Sequence, residues 1–530
     1  MLLFLVPFLY AAVLCNSVTD ELFWSDDPEE MQFVRTLPLW SLVFGHDAFG
    51  YFRPIKNILW LAFSKLEPFG IEWCHAVAIA IGILSFYPVL ALCRRILGNE
   101  WKALAAAATW LFSPTLVSSA AWLSCVNIRI MIVVAALSIA FHDKAWDGGI
   151  FRPSCVVFSG VFLFLALVSY ECAVAVPFVL IAFDGMLRTE RFREREIWRS
   201  HAFYWAVTVL YLVLRHFVAA IGSAGSRWIQ ASRGQLVLSS PYFTIRHFAD
   251  WFWPFSRFSV GGSYVWGDVS PAILAGCALF GIAVVASAVL FRKRFPALCF
   301  CALFAILGFA PTSNCLGLGN GPFGDYYIAL ASVGLAAGGV EAVCLLADVR
   351  GKWRAPAIAL ATAFVLVRVA AVPEAARWAR FWSDDKLAYA ESSRNHPESI
   401  QNQLGVLRHL VAKGRWDEVR NLGNRIERKV GADSSFMRFV YVSRILDAVL
   451  NEKDLEAALS ALEGFSAIAD KRENAGEVSF YRGVVAEVLE NDLETAEREY
   501  GKALRDSEDE ALSANCRKAL ARIEAARSED

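Results

Sequence analysis

The run Ser25-Asp26-Asp27-Pro28-Glu29-Glu30 sets four carboxylates within five positions, just after an apolar N-terminus. Asp27 suits a helix N-cap, Pro28 the first helical position, and Glu29 and Glu30 the positive end of the helix dipole. The same run can supply a general base. An aspartate at a membrane surface, Asp26 above all, is partly desolvated, and this raises its pKa toward the range where it can take a proton from a hydroxyl. The two roles are compatible, because a helix start is a rigid mount for a carboxylate.

A second segment, His46-Asp47-Ala-Phe-Gly-Tyr51-Phe-Arg53-Pro54-Ile-Lys56-Asn57, places basic side chains beside aromatic ones. A guanidinium forks onto phosphate oxygens while rings lie along a lipid chain, so Arg53 can hold a lipid phosphate; otherwise these residues are anchors that set depth in the interface. Glu171 opens an apolar stretch. An acid in apolar surroundings is costly unless paired, so it is either a site residue or the partner of Arg129 or Arg215. Arg215, near the end of another apolar stretch, is a second phosphate candidate, and Arg129, inside a stretch, is expected to pair with an acid. The segment 221–270, with Arg227, Arg233, Arg246, Arg257 and Trp251-Phe-Trp253, is expected to lie in the interface, as a lid or as a passive helix. Phosphate-cradling loops, H-E-x-x-H and G-x-S-x-G do not occur, and Gly317-x-Gly319-x-Gly321 follows no strand, so a nucleotide is not expected as a direct donor.

The elements that must position these groups follow from a split in composition. The 530 residues are 56% hydrophobic, with 51 Lys and Arg against 52 Asp and Glu. That excess of apolar residues excludes an ordinary soluble protein, and the balanced charge gives no footprint for nucleic acid. Residues 1–373 carry 27 basic and 22 acidic side chains, whereas 374–530 carry 24 and 30. Lipid is the expected solvent of the first part and water that of the second.

Residues 1–373 contain about eleven stretches able to cross a bilayer: 2–18, 73–92, 103–121, 127–141, 154–169, 172–183, 202–220, 272–291, 297–313, 326–347 and 355–372. Residues 51–66 can add a half-helix. With the N-terminus inside, the five inner connections hold sixteen Lys and Arg, against about eight in the longer outer loops. Loops 19–70, 221–270 and 314–325 and the whole tail then share the outer face.

The tail is expected to be helical and weakly repetitive. Leu404-Gly405 with Gly414-x-Trp416, Asp454-Leu455-x-x-Ala458, and Asp492-Leu493-x-x-Ala496 with Tyr500 recur at about 38 to 39 residues. Three degenerate helical hairpins of tetratricopeptide type are expected to stack into a short solenoid. The twelve cysteines are scattered singly, eleven of them before residue 374, and read as small packing residues from which no metal site is expected. No N-x-S/T sequon occurs, which favours a bacterial inner membrane over the endoplasmic reticulum.

In order along the chain, Asp26-Asp27, Asp47-x-Phe49-Gly50, Tyr51-Phe-Arg53-Pro54, His75, Ser113-Pro114 with Ala121-Trp122, Tyr170-Glu171 with Pro177 and Asp184, Leu214-Arg215, Pro311-Thr-Ser313-Asn314, Asp325-Tyr-Tyr327-Ile and a repeat tail follow one another. This set resembles the transmembrane and tetratricopeptide-repeat protein O-mannosyltransferases (the TMTC family) and their bacterial relatives in the GT-C glycosyltransferase superfamily. The resemblance implies an all-α fold: a polytopic GT-C-like body of about eleven transmembrane helices followed by the repeat solenoid. It implies a polyprenyl-phosphate-sugar donor and inverting transfer, of mannose in the family's manner, to a hydroxyl on the outer face. Asp26 or Asp27 matches the catalytic acidic motif, Arg53 and Arg215 the donor-phosphate positions, and Asp47, Glu171, Asn314 and Asp325 the supporting positions. No cofactor is implied, with a divalent metal left open, and the tail would present a protein or glycan acceptor.

The chain departs from the family pattern at Ser113-Pro114-Thr115-Leu116-Val117-Ser118, at Cys125-Val126 and at Asp325-Tyr326-Tyr327-Ile328-Ala329-Leu330-Ala331. A second reading follows from these departures: a catalytically lapsed relative whose membrane body anchors a repeat scaffold for protein partners.

Overall fold

The computed structural model describes residues 2–19, 26–147, 150–219, 229–255, 258–315, 323–469, 475–507 and 510–529. Arg227, Arg257 and Gly317-x-Gly319-x-Gly321 lie outside them. The fold is all-α, with two-residue strands at Ile229–Gln230 and Tyr264–Val265 paired in parallel. It divides into two compact units, Met1–Asn395 and His396–Asp530. The division falls beyond the composition change at residue 373, because the helix Arg354–Phe381 runs through Pro373 without stopping and Asp385–Asn395 packs with the same unit.

Each of the eleven expected stretches overlaps helical backbone among the described residues. Among the described residues, six helices are long and apolar enough to cross a membrane: Ile71–Leu97, Leu123–Lys144, Arg195–Val218, Pro271–Phe291, Pro296–Ser313 and Gly351–Phe381. The chain is thus a multipass membrane protein. The pair Glu100–Leu111 and Pro114–Ala121, bent by 65°, is apolar enough only when the two helices are taken together, as a broken span or a re-entrant loop, and Leu2–Ser17, Pro153–Ser169 and Ala331–Ala347 are shorter apolar helices. The bend has a local cause. Pro114 has no N–H to give, and the residue before it, Ser113, is driven into extended backbone with ψ 123°.

Arg129 was expected to meet an acid and does not. Its guanidinium donates to the Tyr10 hydroxyl at 2.9 Å and to the Leu116 carbonyl at 3.0 Å, and it stands over the Trp110 ring. The Leu116 carbonyl, at the end of the short turn Pro114–Leu116, also accepts from the Ser119 hydroxyl at 2.6 Å.

Loop 19–70 folds against the helical body. Its helices Asp27–Thr36, Leu39–Phe44 and Pro54–Leu66 bury Met31, Val34, Leu42, Trp60 and Phe63 in one apolar cluster with Cys74, Ala78, Leu123 and Val126. Burial of each large apolar side chain contributes about 1.5–3 kcal/mol. This cluster fixes the loop as a rigid platform. Within segment 221–270, the helix Arg233–Phe252 starts at a reciprocal capping box between Ser232 and Gln235.

The second unit consists of three helical hairpins and a last helix, Glu510–Glu529. Two hairpins turn in the same way, 38 residues apart. Each first helix loosens into a π turn, Ala448–Glu452 or Ala486–Glu490. A left-handed residue follows, Lys453 or Asn491, and the next aspartate, Asp454 or Asp492, caps the second helix. The cap carboxylates accept from Ala457 N at 3.0 Å and Thr495 N at 2.9 Å.

Candidate functional site

The acidic run begins the helix Asp27–Thr36, one residue earlier than a cap at Asp27 would place it. Asp26 occupies the cap position, its carbonyl accepts from Glu30 N at 3.1 Å, and its side chain makes no capping bond. Asp27, fully buried, turns inward, and its Oδ1 accepts from the Ser124 hydroxyl at 2.6 Å and from Ser124 N at 3.1 Å. The two adjacent acids thus have different settings. Asp27 ties the platform to the 123–125 turn, and Asp26, half-buried, lies within electrostatic range of Glu30, Cys125 and Tyr326.

The next segment is organised by one tight turn. Asp47 Oδ1 accepts from Phe49 N at 3.0 Å and Tyr51 N at 2.8 Å, while Gly50 N donates to the Asp47 carbonyl at 3.0 Å. Gly50 has a φ of +81°, where a side chain would be strained. The turn leaves Asp47 Oδ2 facing two cations, Arg53 Nη1 at 3.6 Å and Lys56 Nζ at 3.7 Å.

Arg53 then reaches Glu171 as a fork, with Nε to Oε2 at 2.8 Å and Nη2 to Oε1 at 2.5 Å. Its guanidinium carbon lies 4.0 Å from the centre of the Tyr51 ring and 4.6 Å from that of Tyr170. Lys56 pairs with Glu30 on the other side. All five charged side chains, Glu30, Asp47, Arg53, Lys56 and Glu171, are buried. The result is a continuous chain of alternating charge, Glu30–Lys56–Asp47–Arg53–Glu171, with Asp26 at one end.

Burial pushes the Glu30 carboxyl up to about 7; Lys56 pulls it down, and the charges of Asp47 and Asp26 push it further up. For Lys56 burial opposes the charge, but Glu30 and Asp47 outweigh it and hold the ammonium above its usual range.

Arg215 is half-buried and acts electrostatically on Glu171 and on the Tyr211 hydroxyl at the far end of this chain. It forms no ion pair or side-chain hydrogen bond with another described residue. Glu171 therefore has Arg53 as its partner, and neither Arg129 nor Arg215 pairs with it directly. Asp325 sits on the neighbouring turn Asp325–Ile328, accepting from Ser259 N at 3.4 Å, and its neighbours Tyr326 and Tyr327 close over the same region. Asn314 is buried in the left-handed conformation at φ +65° with Nδ2 unpartnered, and no hydrogen bond or ion pair joins it to the charged cluster.

Three of the expected residues, Asp47, Arg53 and Glu171, thus fall along one connected series, with Asp26 and Arg215 within electrostatic range of its two ends and Asp27 and Asp325 on separate turns. Glu30 and Lys56 were not singled out as site residues and belong to the series. Spacing carried a signal for both. Glu30 is four residues after Asp26 on one helix, and Lys56 three after Arg53, so each shares a helix face with a recognised candidate.

No protein-family model matches the chain, and no curated protein matches it in sequence. Among solved structures, apo ArnT from Cupriavidus metallidurans is 16% identical and superposes with a TM-score of 0.40 over 77% of this chain and 80% of its own. An oligosaccharyltransferase from Archaeoglobus fulgidus, solved with a tethered acceptor peptide, is 13% identical, with a TM-score of 0.41 over 94% of this chain and 72% of its own.

Proposed function

We propose that the chain is a membrane glycosyltransferase of the GT-C type, which moves a sugar from a polyprenyl-phosphate carrier to a hydroxyl acceptor. In this reading eleven crossings, the shorter apolar helices included, carry loops 19–70 and 221–270 to the outer face of a bacterial inner membrane. The second unit is a tetratricopeptide-like solenoid on the same side, suited to recruiting a protein acceptor.

The observation that carries the reading is the charge series itself. A half-buried carboxylate, Asp26, stands at one end, and Arg215, a guanidinium without an ion-pair partner among the described residues, stands beyond the other. A base takes the proton from the acceptor hydroxyl, and a cation stabilises the phosphate that leaves; the salt-bridged series lies between them. The different settings of the two aspartates favour Asp26 as the base, with Asp27 as its mount. The order of motifs shared with the TMTC family supports the same donor class, and mannose on Ser or Thr is the sugar and acceptor we favour.

The test is transfer from a polyprenyl-phosphate hexose by the purified chain, with Asp26→Asn as the decisive variant. Full turnover in a folded Asp26→Asn protein would remove the proposed base. The lapsed-relative reading draws on the departures at 113–118 and 125–126, and it predicts no transfer by the wild type together with partner capture by the full chain.

A further inference from the structure

A second cluster of chemistry-bearing side chains lies at the other end of the same helices. His142 is near the end of Val126–Lys144, Asp184 near the end of Val176–Leu187, and His201 in the second turn of Arg195–Val218. Glu171 and Asp184, and likewise Arg215 and His201, are separated by about 20 Å at 1.5 Å per helical residue, so this cluster is remote from the charge series. All three side chains are buried, and their ligand atoms lie within 4.8 Å of one another.

The geometry is that of ligands converging on a common point. His142 Nε2 is 2.8 Å from Asp184 Oδ2, and His201 Nε2 is 3.0 Å from the same oxygen. The ring's other nitrogen, His201 Nδ1, is buried with no hydrogen-bond partner among the described residues, and Asp184 Oδ1 accepts no hydrogen bond from them. Two polar atoms of one buried triad left without a hydrogen bond are costly unless something satisfies them. Two imidazoles and a carboxylate are the donor set of zinc-class ions, with metal–ligand distances of about 2.0–2.2 Å.

Two neighbours bear on the charge balance and the orientation. His142 Nδ1 lies 3.1 Å from the Tyr204 hydroxyl, the kind of outer hydrogen bond that fixes the tautomer of a metal-bound histidine. Arg191 Nη1 is 3.9 Å from Asp184 Oδ1 and lies closer, at 2.8 Å, to Asp143 Oδ1, a carboxylate it shares with Arg95 and Arg188.

We propose that His142, Asp184 and His201 bind one divalent transition-metal ion of the zinc class, which pins three helices of the body together away from the sugar-transfer site. The inference is independent of the proposed activity. A metal of this kind is a clamp between Leu123–Lys144, Val176–Leu187 and Arg195–Val218, with a water or Asp184 Oδ1 completing four-coordination.

The experiment uses the full chain in detergent, stripped with a chelator and titrated with Co2+ as an optical probe, then with Zn2+. The expected result is one equivalent of Co2+ with visible absorption bands of a four- or five-coordinate ion, displaced by Zn2+, and a higher Tm with the metal bound. Asp184→Asn and His201→Gln should weaken binding at least about 100-fold, and Tyr204→Phe, which keeps the ring in place, about 10-fold. A stripped wild-type chain that takes up no stoichiometric metal overturns the proposal, whatever the variants do, and makes the triad a hydrogen-bonded helix contact. Equal affinity in Asp184→Asn and wild type overturns it as well.

Discussion

Arg53 and Glu171, 118 residues apart in the chain, meet as a buried two-pronged pair, with Nε to Oε2 at 2.8 Å and Nη2 to Oε1 at 2.5 Å. The pair joins loop 19–70 to the start of the helix that begins at residue 171. It is a buried polar link between loop 19–70 and the helical body.

Removing one partner leaves the other charge buried and alone. Glu171→Ala is therefore expected to destabilise the chain by about 3–5 kcal/mol, and Arg53→Lys, which cannot fork, to recover little of the pair. Replacing both together by Met and Leu should restore much of the stability while transfer stays lost. Thermal unfolding in detergent, alongside sugar transfer, separates the two effects.

The two adjacent aspartates should respond differently. Asp26→Asn is expected to lower transfer by about 10²–10⁴-fold with little change in Tm, as for loss of a general base. Asp27→Asn should instead lower stability by about 1–3 kcal/mol, through disturbance of the two bonds from Ser124. A large stability loss in the first variant, or none in the second, would reverse these assignments.

Glu30 gives the site a pH signature. Its carboxyl titrates near 7 in the folded chain and near 4.5 when unfolded, so between these values the folded state holds the extra proton. Stability therefore rises as pH falls from about 7 toward 4.5 and is lost as pH climbs back through 7. Glu30→Gln should flatten that part of a Tm-against-pH curve, and a curve of unchanged slope argues against the assignment.

Arg215 acts on Glu171 only through space. Its proposed task is the donor phosphate, so Arg215→Ala should raise KM for a polyprenyl-phosphate sugar by roughly 10–100-fold, the worth of one charged hydrogen bond, with Tm nearly unchanged. Donor titration at fixed acceptor concentration measures this directly. An unchanged KM removes Arg215 from the donor site.

In the second unit the repeated caps are testable singly. Asp454→Ala and Asp492→Ala should each cost about 1 kcal/mol, visible as earlier local exchange of the amides of Ala457 and Thr495.

Much of this architecture was legible before any coordinates. Apolar stretches of bilayer length marked helices, because in lipid the backbone must satisfy its own hydrogen bonds. The 38-residue recurrence of Asp454-Leu455 and Asp492-Leu493 marked the paired turns. The candidate residues Asp26, Asp47, Arg53, Glu171 and Arg215 stood out because charge beside apolar or interfacial sequence is rare and costly. Arg129 misled for the same reason: its charge asked for an acid, yet Leu116 supplied a carbonyl and Tyr10 a hydroxyl.

The sequence by itself determined which residues must leave water and which must find partners, since transfer free energy depends on residue type and run length alone. Only the tertiary structure decided who those partners are. Glu171 chose Arg53 over Arg129 or Arg215, Lys56 bridged Glu30 and Asp47, and His142, Asp184 and His201 came together from three helices. Pairing is a property of distance and direction between segments far apart in the chain, and no local pattern encodes it.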